Sequence, residues 1–320
     1  MSDIAIFGAG AFGGALAVAQ STAGKSVTLW GRNQSAMTKA ATTRELVRLP
    51  GIKLSPFVTV TSDLEATDKA SIVLLAMPAQ QLRGFLEENA DRLMGRDLVV
   101  CSKGIDLETG LGSWSLLRQM QPASTTAILT GPSFAVDIAN GLPTALTLAS
   151  DAPTLDRLQE QLSTSALRLY RGDDPRGAEL GGALKNVVAI AAGLAIGAGF
   201  GESARAALIA RGFAEMSRLT VAMGGQAETL FGLSGLGDLA LTCSSEKSRN
   251  FSFGLALGKG EAFPAATTVE GASTARAVQR LAKENGLSAP LASCVVDVID
   301  RKATAAEVAE ELLARPLKSE

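Results

Sequence analysis

The apolar positions of this chain follow two rhythms. In the first half, short unbroken apolar runs alternate with longer amphipathic stretches. Ile4-Ala5-Ile6-Phe7 reads as a strand, Ala11 to Gly24 as a helix, and Ser26-Val27-Thr28-Leu29-Trp30 as a second strand. Val58-Thr59-Val60, Ser71 to Ala76, Asp97 to Cys101, Thr126 to Leu129 and Thr144 to Leu148 continue the series. Runs of this length, rich in Val, Ile and Leu and set between helices, predict a mostly parallel sheet covered on both faces. From about Glu179 the pattern turns helical, with Ala, Leu and Gly abundant and no convincing strand. Glu179 to Gly224 has room for two or three packed helices, and Thr274 to Asn285, Leu291 to Asp300 and Ala305 to Ala314 supply more. Arg171-Gly172-Asp173-Asp174-Pro175 is turn-rich and marks the boundary, which predicts an α/β unit over 1–175 and an all-helical unit over 176–320.

Composition narrows the class. A chain of 320 residues can bury a sizeable core in each of two domains. Hydrophobic residues at 47% against 19% charged exclude a disordered chain. A net charge of −2, with no block of one sign, argues against nucleic acid or an anionic membrane as partner. Cys101, Cys243 and Cys294 lie far apart without a C-x-x-C pair, and Met1-Ser2-Asp3 leads straight into a strand with no secretory pattern. Reduced thiols in a cytoplasmic protein without a metal site fit that usage. Val187 to Gly201, the most apolar stretch, is too short to span a bilayer and reads as a buried core helix. The chain contains no histidine, so any acid–base chemistry falls to Lys, Asp, Glu, Tyr or Cys.

Gly8-Ala9-Gly10-Ala11-Phe12-Gly13 is a G-x-G-x-x-G that follows a strand, opens a helix and precedes a second strand ending about 20 residues on. That context makes it a dinucleotide fingerprint and predicts an α/β Rossmann-type N-terminal domain. Gly8 allows the tight turn, Gly10 the close approach of a pyrophosphate to backbone, and Gly13 the helix–sheet contact. The second strand ends in Trp30-Gly31-Arg32-Asn33, with no acid to hold the ribose hydroxyls of NAD. Arg32 can pair with a 2′-phosphate, which favours NADP over NAD; the alternative is a solvated surface arginine.

Further candidates are polar residues in apolar settings. Lys185 in Glu179-Leu180-Gly181-Gly182-Ala183-Leu184-Lys185-Asn186 precedes a nearly all-apolar run, so it is either a proton carrier of lowered pKa or a lysine that snorkels from a helix end. Lys103 follows a strand, where ligands of parallel sheets bind. Asp238 in Gly235-Leu236-Gly237-Asp238 can orient an ammonium group or cap the helix after it. Ser248-Arg249-Asn250 at a helix start suits an oxyanion, or is an ordinary cap. Thr268-Val269-Glu270-Gly271 is a loop that can line a cleft.

With these residues assembled, the chain resembles the bacterial NAD(P)-dependent glycerol-3-phosphate dehydrogenases from residue 4 to about 318. The blocks that carry the resemblance are Gly8-Ala9-Gly10, Trp30-Gly31-Arg32, Ala76-Met77-Pro78, Ser102-Lys103-Gly104 and Gly131-Pro132-Ser133-Phe134-Ala135, then Glu179 to Asn186, Gly235 to Leu239 and Leu241-Thr242-Cys243. Ser248-Arg249-Asn250, Val269-Glu270-Gly271 and Arg315-Pro316-Leu317-Lys318 complete it. The resemblance implies reversible interconversion of glycerone phosphate and glycerol 3-phosphate for phospholipid synthesis, by a homodimer whose two halves close around substrate. It implies Lys185 as proton carrier, with Lys103, Gly131, Ser133, Asp238, Ser248, Arg249 and Asn250 as substrate contacts. Ala11, Phe12, Arg32, Lys103, Ala135, Arg249, Thr268 and Glu270 become cofactor contacts beside Gly8, Gly10 and Gly13. Two positions depart from the family pattern: Phe251-Ser252 stand where basic residues often follow the Ser-Arg-Asn cap, and Thr268 stands where Val is usual. The rival within enzymes is another lysine-dependent Rossmann dehydrogenase acting on a hydroxy acid or sugar acid phosphate. A rival outside enzymes is a redox sensor that binds NADP and has no use for the cationic cluster.

Overall fold

The unbroken apolar runs of the first half assemble into one eight-stranded sheet. The computed structural model describes residues 4–265 and 267–308. The strands are β1 (Ile4–Phe7), β2 (Val27–Trp30), a separate hairpin of β3 (Glu45–Leu46) and β4 (Leu49–Lys53), then β5 (Val58–Thr61), β6 (Ile72–Leu75), β7 (Asp97–Val100), β8 (Thr125–Thr130), β9 (Thr144–Ala149) and β10 (Leu167–Gly172). The main sheet runs in the order β10-β9-β8-β7-β6-β1-β2-β5. Every pair is parallel except β8 with β9. Helices α1 (Ala11–Thr22), α2 (Gln34–Thr43), α3 (Ala79–Glu88), α4 (Ala90–Leu93), α5 (Ser113–Met120), α6 (Ala135–Ala139) and α7 (Leu155–Leu162) make the connections. Alternation along each strand feeds two cores. Ile4 and Ile6 join the one that contains α1, and Ala5 and Phe7 join the one that contains α3 and α5. Chain direction across the sheet reverses between β1 and β6, which opens a crevice at their carboxyl ends.

Two features differ from the expectation. Strand β10 takes in Arg171 and Gly172 and a helix begins at Pro175, so the stretch read as a turn shrinks to Asp173 and Asp174. It is an edge strand: Leu167 and Leu169 point inward while Arg168 and Tyr170 are exposed, and a half-polar run gives a weak strand signal. The β3–β4 hairpin, with Pro50 and Gly51 in it, lies over α1, where Leu46 and Leu49 occupy the space beside Gly14.

The second half packs around one helix. Helix α8 (Pro175–Gly197) starts four residues before Glu179, because Asp174 caps it by accepting the Gly177 N–H at 2.8 Å and Pro175 preforms its first turn. Asp174 also accepts the Gln226 N–H and the Thr229 hydroxyl. Its 23 residues are long and apolar enough to cross a membrane, so the shortness inferred for 187–201 is not what excludes a span. Burial is: 89% of its apolar window lies inside the protein. Around α8 stand α9 (Gly201–Ala222), α10 (Asp238–Cys243), α11 (Arg249–Lys259), α12 (Glu270–Asn285) and α13 (Pro290–Ile299). Helix α11 crosses α8 at backbone contact, where side chains at Gly193, Gly197, Gly254 or Gly258 would overlap the facing helix. Ala178 of α8 belongs to the sheet core, whereas Leu180 to Ala192 supply the helical core, so one rigid element spans both. The expected helix Ala305–Ala314 lies partly outside the described residues, and Arg315-Pro316-Leu317-Lys318 wholly so.

Candidate active site

Each glycine of the fingerprint has a distinct steric reason. Gly8 has φ +114°, and a Cβ there would stand 2.7 Å from the Ala76 carbonyl oxygen. A Cβ on Gly13 would overlap the carbonyl of Gly8, so the helix can approach the strand only without it. Gly10 instead faces open space, with nothing within 4 Å of where its side chain would be. It is the N-cap of α1 and offers no side-chain cap, so the first-turn N–H groups near Ala11 and Phe12 have no acceptor from their own cap. An open cradle of backbone donors at a helix N-terminus fits a dinucleotide pyrophosphate. Arg32 is exposed two residues beyond β2, and Asn33 beside it caps α2 through the Ala36 N–H at 2.8 Å.

The crevice continues from this cradle to a cluster of charge. Gly8 packs on Ala76 and Met77, and the Ser102 hydroxyl donates to the Met77 carbonyl at 2.8 Å, which places Lys103 next along. Lys103 comes from the end of β7, Lys185 from the middle of α8, and Asp238 from the first turn of α10. Asp238 is 1% exposed and grips both ammonium groups, Lys103 at 2.7 Å through Oδ2 and Lys185 at 3.0 Å through Oδ1. Lys103 also donates to the Gly131 carbonyl at 2.9 Å. Gly131 has φ +140° and stands tight against Leu146, a backbone position that only glycine accepts readily. The Ser133 hydroxyl donates to the same carbonyl at 3.3 Å.

Burial and charge set the protonation states here. Burial is the largest influence on Lys185 and lowers its pKa to about 8, with Lys103 pushing the same way and Asp238 opposing. Burial alone would raise the Asp238 carboxyl, but the Lys103 and Lys185 ammonium groups hold it below its ordinary value. Cys243, beside Lys185, is pushed up to about 12 by burial, and Cys101 likewise, so neither thiol is a ready proton carrier at neutral pH.

The Ser-Arg-Asn segment is a working cap and a junction at once. Ser248 caps α11 by accepting the Phe251 N–H at 3.2 Å. The Asn250 side chain donates to Asn186 Oδ1 at 2.9 Å and accepts the Gly271 N–H at 2.9 Å, tying α11 to α8 and α12. Its amide is engaged within the protein, and Arg249 beside it is exposed. Glu270 reaches across to the sheet half, where its carboxylate accepts the Ala79 N–H at the start of α3 at 3.4 Å. Burial raises the Glu270 pKa against the field of Arg249. Thr268 is half-buried in the loop before it, and Ala135 opens α6, which packs on α1.

Lys103, Gly131, Ser133, Lys185 and Asp238 thus form one cluster. Asn250 joins it through Asn186, whose side chain donates to the Lys103 carbonyl at 3.2 Å, whereas Ser248 and Arg249 stand beside Asn250 in the chain only. Gly8, Gly10, Ala11, Phe12 and Gly13 form the neighbouring cradle, and Arg32 stands exposed outside it, beyond the end of β2. Two members had no role assigned from sequence. Thr242 accepts from Lys185 Nζ at 2.6 Å and donates to Asp238 Oδ1 at 3.2 Å. Its spacing of four from Asp238 on a helix was the available signal. Asn186 is the other, and only its adjacency to Lys185 pointed to it.

A dinucleotide cradle beside two lysines that share one buried carboxylate, on a doubly wound sheet with a helical partner, defines a Rossmann-type oxidoreductase. Residues 3–156 match the family model described as NAD-dependent glycerol-3-phosphate dehydrogenase N-terminus, and 174–310 match its C-terminus. The chain belongs to the NAD-dependent glycerol-3-phosphate dehydrogenase family. It is 57% identical to glycerol-3-phosphate dehydrogenase [NAD(P)+] of Paracoccus denitrificans over 99% of this chain and 100% of that protein. The corresponding figures for the Ruegeria sp. protein of the same name are 53%, 99% and 100%. The crystal structure of glycerol-3-phosphate dehydrogenase from Coxiella burnetii superposes with a TM-score of 0.93 at 33% identity, covering 98% of each chain.

Proposed function

We propose that the chain interconverts glycerone phosphate and sn-glycerol 3-phosphate with NADP or NAD, and that Lys185 carries the proton. The observation that supports this most is the pair of lysines sharing the buried Asp238, one of them with a pKa lowered to about 8. The nicotinamide, when bound, supplies or accepts the hydride at substrate C2. Lys185, as the ammonium, gives a proton to the C2 oxygen in reduction, and as the amine it takes that proton back in oxidation. Such acid–base help is typically worth about 10²–10⁴-fold. Lys103 polarises the carbonyl oxygen, and Asp238 with Thr242 holds the Lys185 Nζ in place. Arg249 and the first-turn N–H groups of α11 take the phosphate, with Gly131 and Ser133 lining the same pocket. Gly8, Gly10, Ala11, Phe12 and Gly13 hold the pyrophosphate; Arg32 takes a 2′-phosphate, favouring NADP; and Ala135, Thr268 and Glu270 close over the cofactor.

The reading divides the chain into a cofactor domain, 1–175, and a substrate domain, 176–320, in a cytoplasmic homodimer that supplies glycerol 3-phosphate for phospholipids. The separate sheet and helical cores support the division. Following NADPH absorbance with glycerone phosphate, ketopantoate and 6-phosphogluconate in turn tests the substrate. Turnover is expected with glycerone phosphate, and turnover with either of the others alone would overturn the reading.

A further inference from the structure

The helix that carries Lys185 carries a second buried charge that the chemistry above does not use. Glu179 lies six residues earlier on α8, about 9 Å along the axis, and is 2% exposed. A carboxylate removed from water costs several kcal/mol unless both oxygens are partnered. Glu179 Oε2 accepts the N–H groups of Trp114 at 2.8 Å and Ser115 at 3.0 Å. Its Oε1 accepts the Ser115 hydroxyl and lies 3.2 Å from Arg176 Nη1. Those two amides are in the first turn of α5, whose N-cap, Gly112, has no side chain to offer. The missing cap therefore comes from the helical half. Arg176 extends the junction by donating through Nε to the Met223 carbonyl, at the end of α9.

The segment docked in this way begins at Lys103. Residues 103–112 form a cross-tied loop, with a bridge between Ile105 and Gly112 and an Asp106 N–H to Leu111 carbonyl bond of 2.8 Å. The Ser113 hydroxyl donates back to the Gly104 carbonyl at 3.3 Å. A side chain at Gly112 would overlap the Glu179 carboxylate, so the loop end sits directly on it. Holding one end of such a loop restrains the other.

We propose that Glu179 is a positioning residue, docking the start of α5 and the 103–112 loop onto α8 so that Lys103 and Lys185 meet on one carboxylate. This rests on the proposed proton-transfer role of the lysine pair. The full-length chain is assayed for glycerone phosphate reduction, with kcat, KM for NADPH, thermal midpoint and amide hydrogen exchange read together. In Glu179→Ala, kcat falls about 10- to 100-fold, the scale of a 1 Å misplacement, while KM for NADPH stays within about 2-fold. The alkaline limb of the rate moves to higher pH, because Lys185 loses a repelling ammonium when Lys103 retreats; Asp238 and Cys243 are the other titratable groups acting on it. Glu179→Gln keeps one acceptor for the α5 amides and recovers kcat to within about 5-fold of wild type. Ser115→Ala removes the two bonds of a half-buried hydroxyl, the one it donates to Glu179 and the one it accepts from Arg176, and keeps the fold. It shifts the limb in the same direction with a kcat loss of about 2- to 5-fold.

If Glu179→Ala and Ser115→Ala lower the thermal midpoint but leave kcat and the limb unmoved, Glu179 only stabilises the fold and the proposal is wrong. If Glu179→Ala does not fold, Ser115→Ala decides in the same terms. Hydrogen exchange across 103–116 needs no substrate and separates this proposal from the functional reading. Faster exchange there in the Glu179 variants, with β1 unchanged, supports docking even if glycerone phosphate is not turned over, and unchanged exchange overturns it.

Discussion

The cradle and the lysine centre adjoin in one crevice but are built by opposite means. The cradle uses six consecutive residues, and its work is done by backbone N–H groups and by side chains that are missing. The lysine centre uses the side chains of Lys103, Lys185, Asp238 and Thr242 and the Gly131 carbonyl, brought together from the segments that follow β7 and β8, from α8 and from α10. The first is open and uncharged, the second buried and ionic. A local backbone device is insensitive to the electrostatics of its neighbours and intolerant of added atoms. A dispersed ionic device depends instead on each charge having its partner.

Single substitutions can break this contrast in order of size. Lys185→Met should lower turnover about 10²–10⁴-fold while NADPH titration still shows binding; near-normal turnover would remove Lys185 from the proton path. Asp238→Asn leaves two ammonium groups without a counter-charge. Breaking a buried pair in this way costs about 3–5 kcal/mol, visible in denaturant unfolding, and a wild-type midpoint would show the pair to be energetically idle. At the cradle, Gly13→Ala forces a Cβ against the Gly8 carbonyl. It should cost about 1–3 kcal/mol of stability and weaken dinucleotide binding while leaving the pH dependence of turnover intact. Arg32→Ser acts only on cofactor choice, raising KM for NADPH about 10-fold and leaving that for NADH alone, the loss of one charge-assisted bond.

The pH profile sharpens the contrast without mutation. With the Lys185 pKa lowered to about 8, reduction needs the protonated form, so its kcat/KM should fall as pH rises through that value. Oxidation needs the amine and should rise through the same range. Two limbs moving in the same direction would refute a shared proton carrier.

Legibility followed the same division. The fingerprint was readable because its meaning lies in contiguous residues and one φ-permissive glycine. Lys185 stood out as a charge ahead of an apolar run, although a snorkelling lysine writes the same pattern. Strand β10 and the β3–β4 hairpin were not readable, since half-exposed edge elements bury too few side chains to leave a periodic trace. Thr242, Asn186 and Glu179 look like ordinary helical polar residues until the elements that face them are in place.

By itself the sequence determined an alternating α/β half with a dinucleotide turn, a helical half, and a chemistry without histidine that leaves lysine as the natural proton carrier. These follow from local periodicity, from backbone sterics at glycine, and from which side chains exist at all. Only the tertiary structure decided that Lys103 and Lys185 share Asp238 and that burial outweighs that partner in setting the Lys185 pKa. It alone placed a glutamate of α8 as the missing cap of α5. Desolvation and Coulomb forces act through space over a few ångströms, and positions 103 and 238 become neighbours only when the chain has folded.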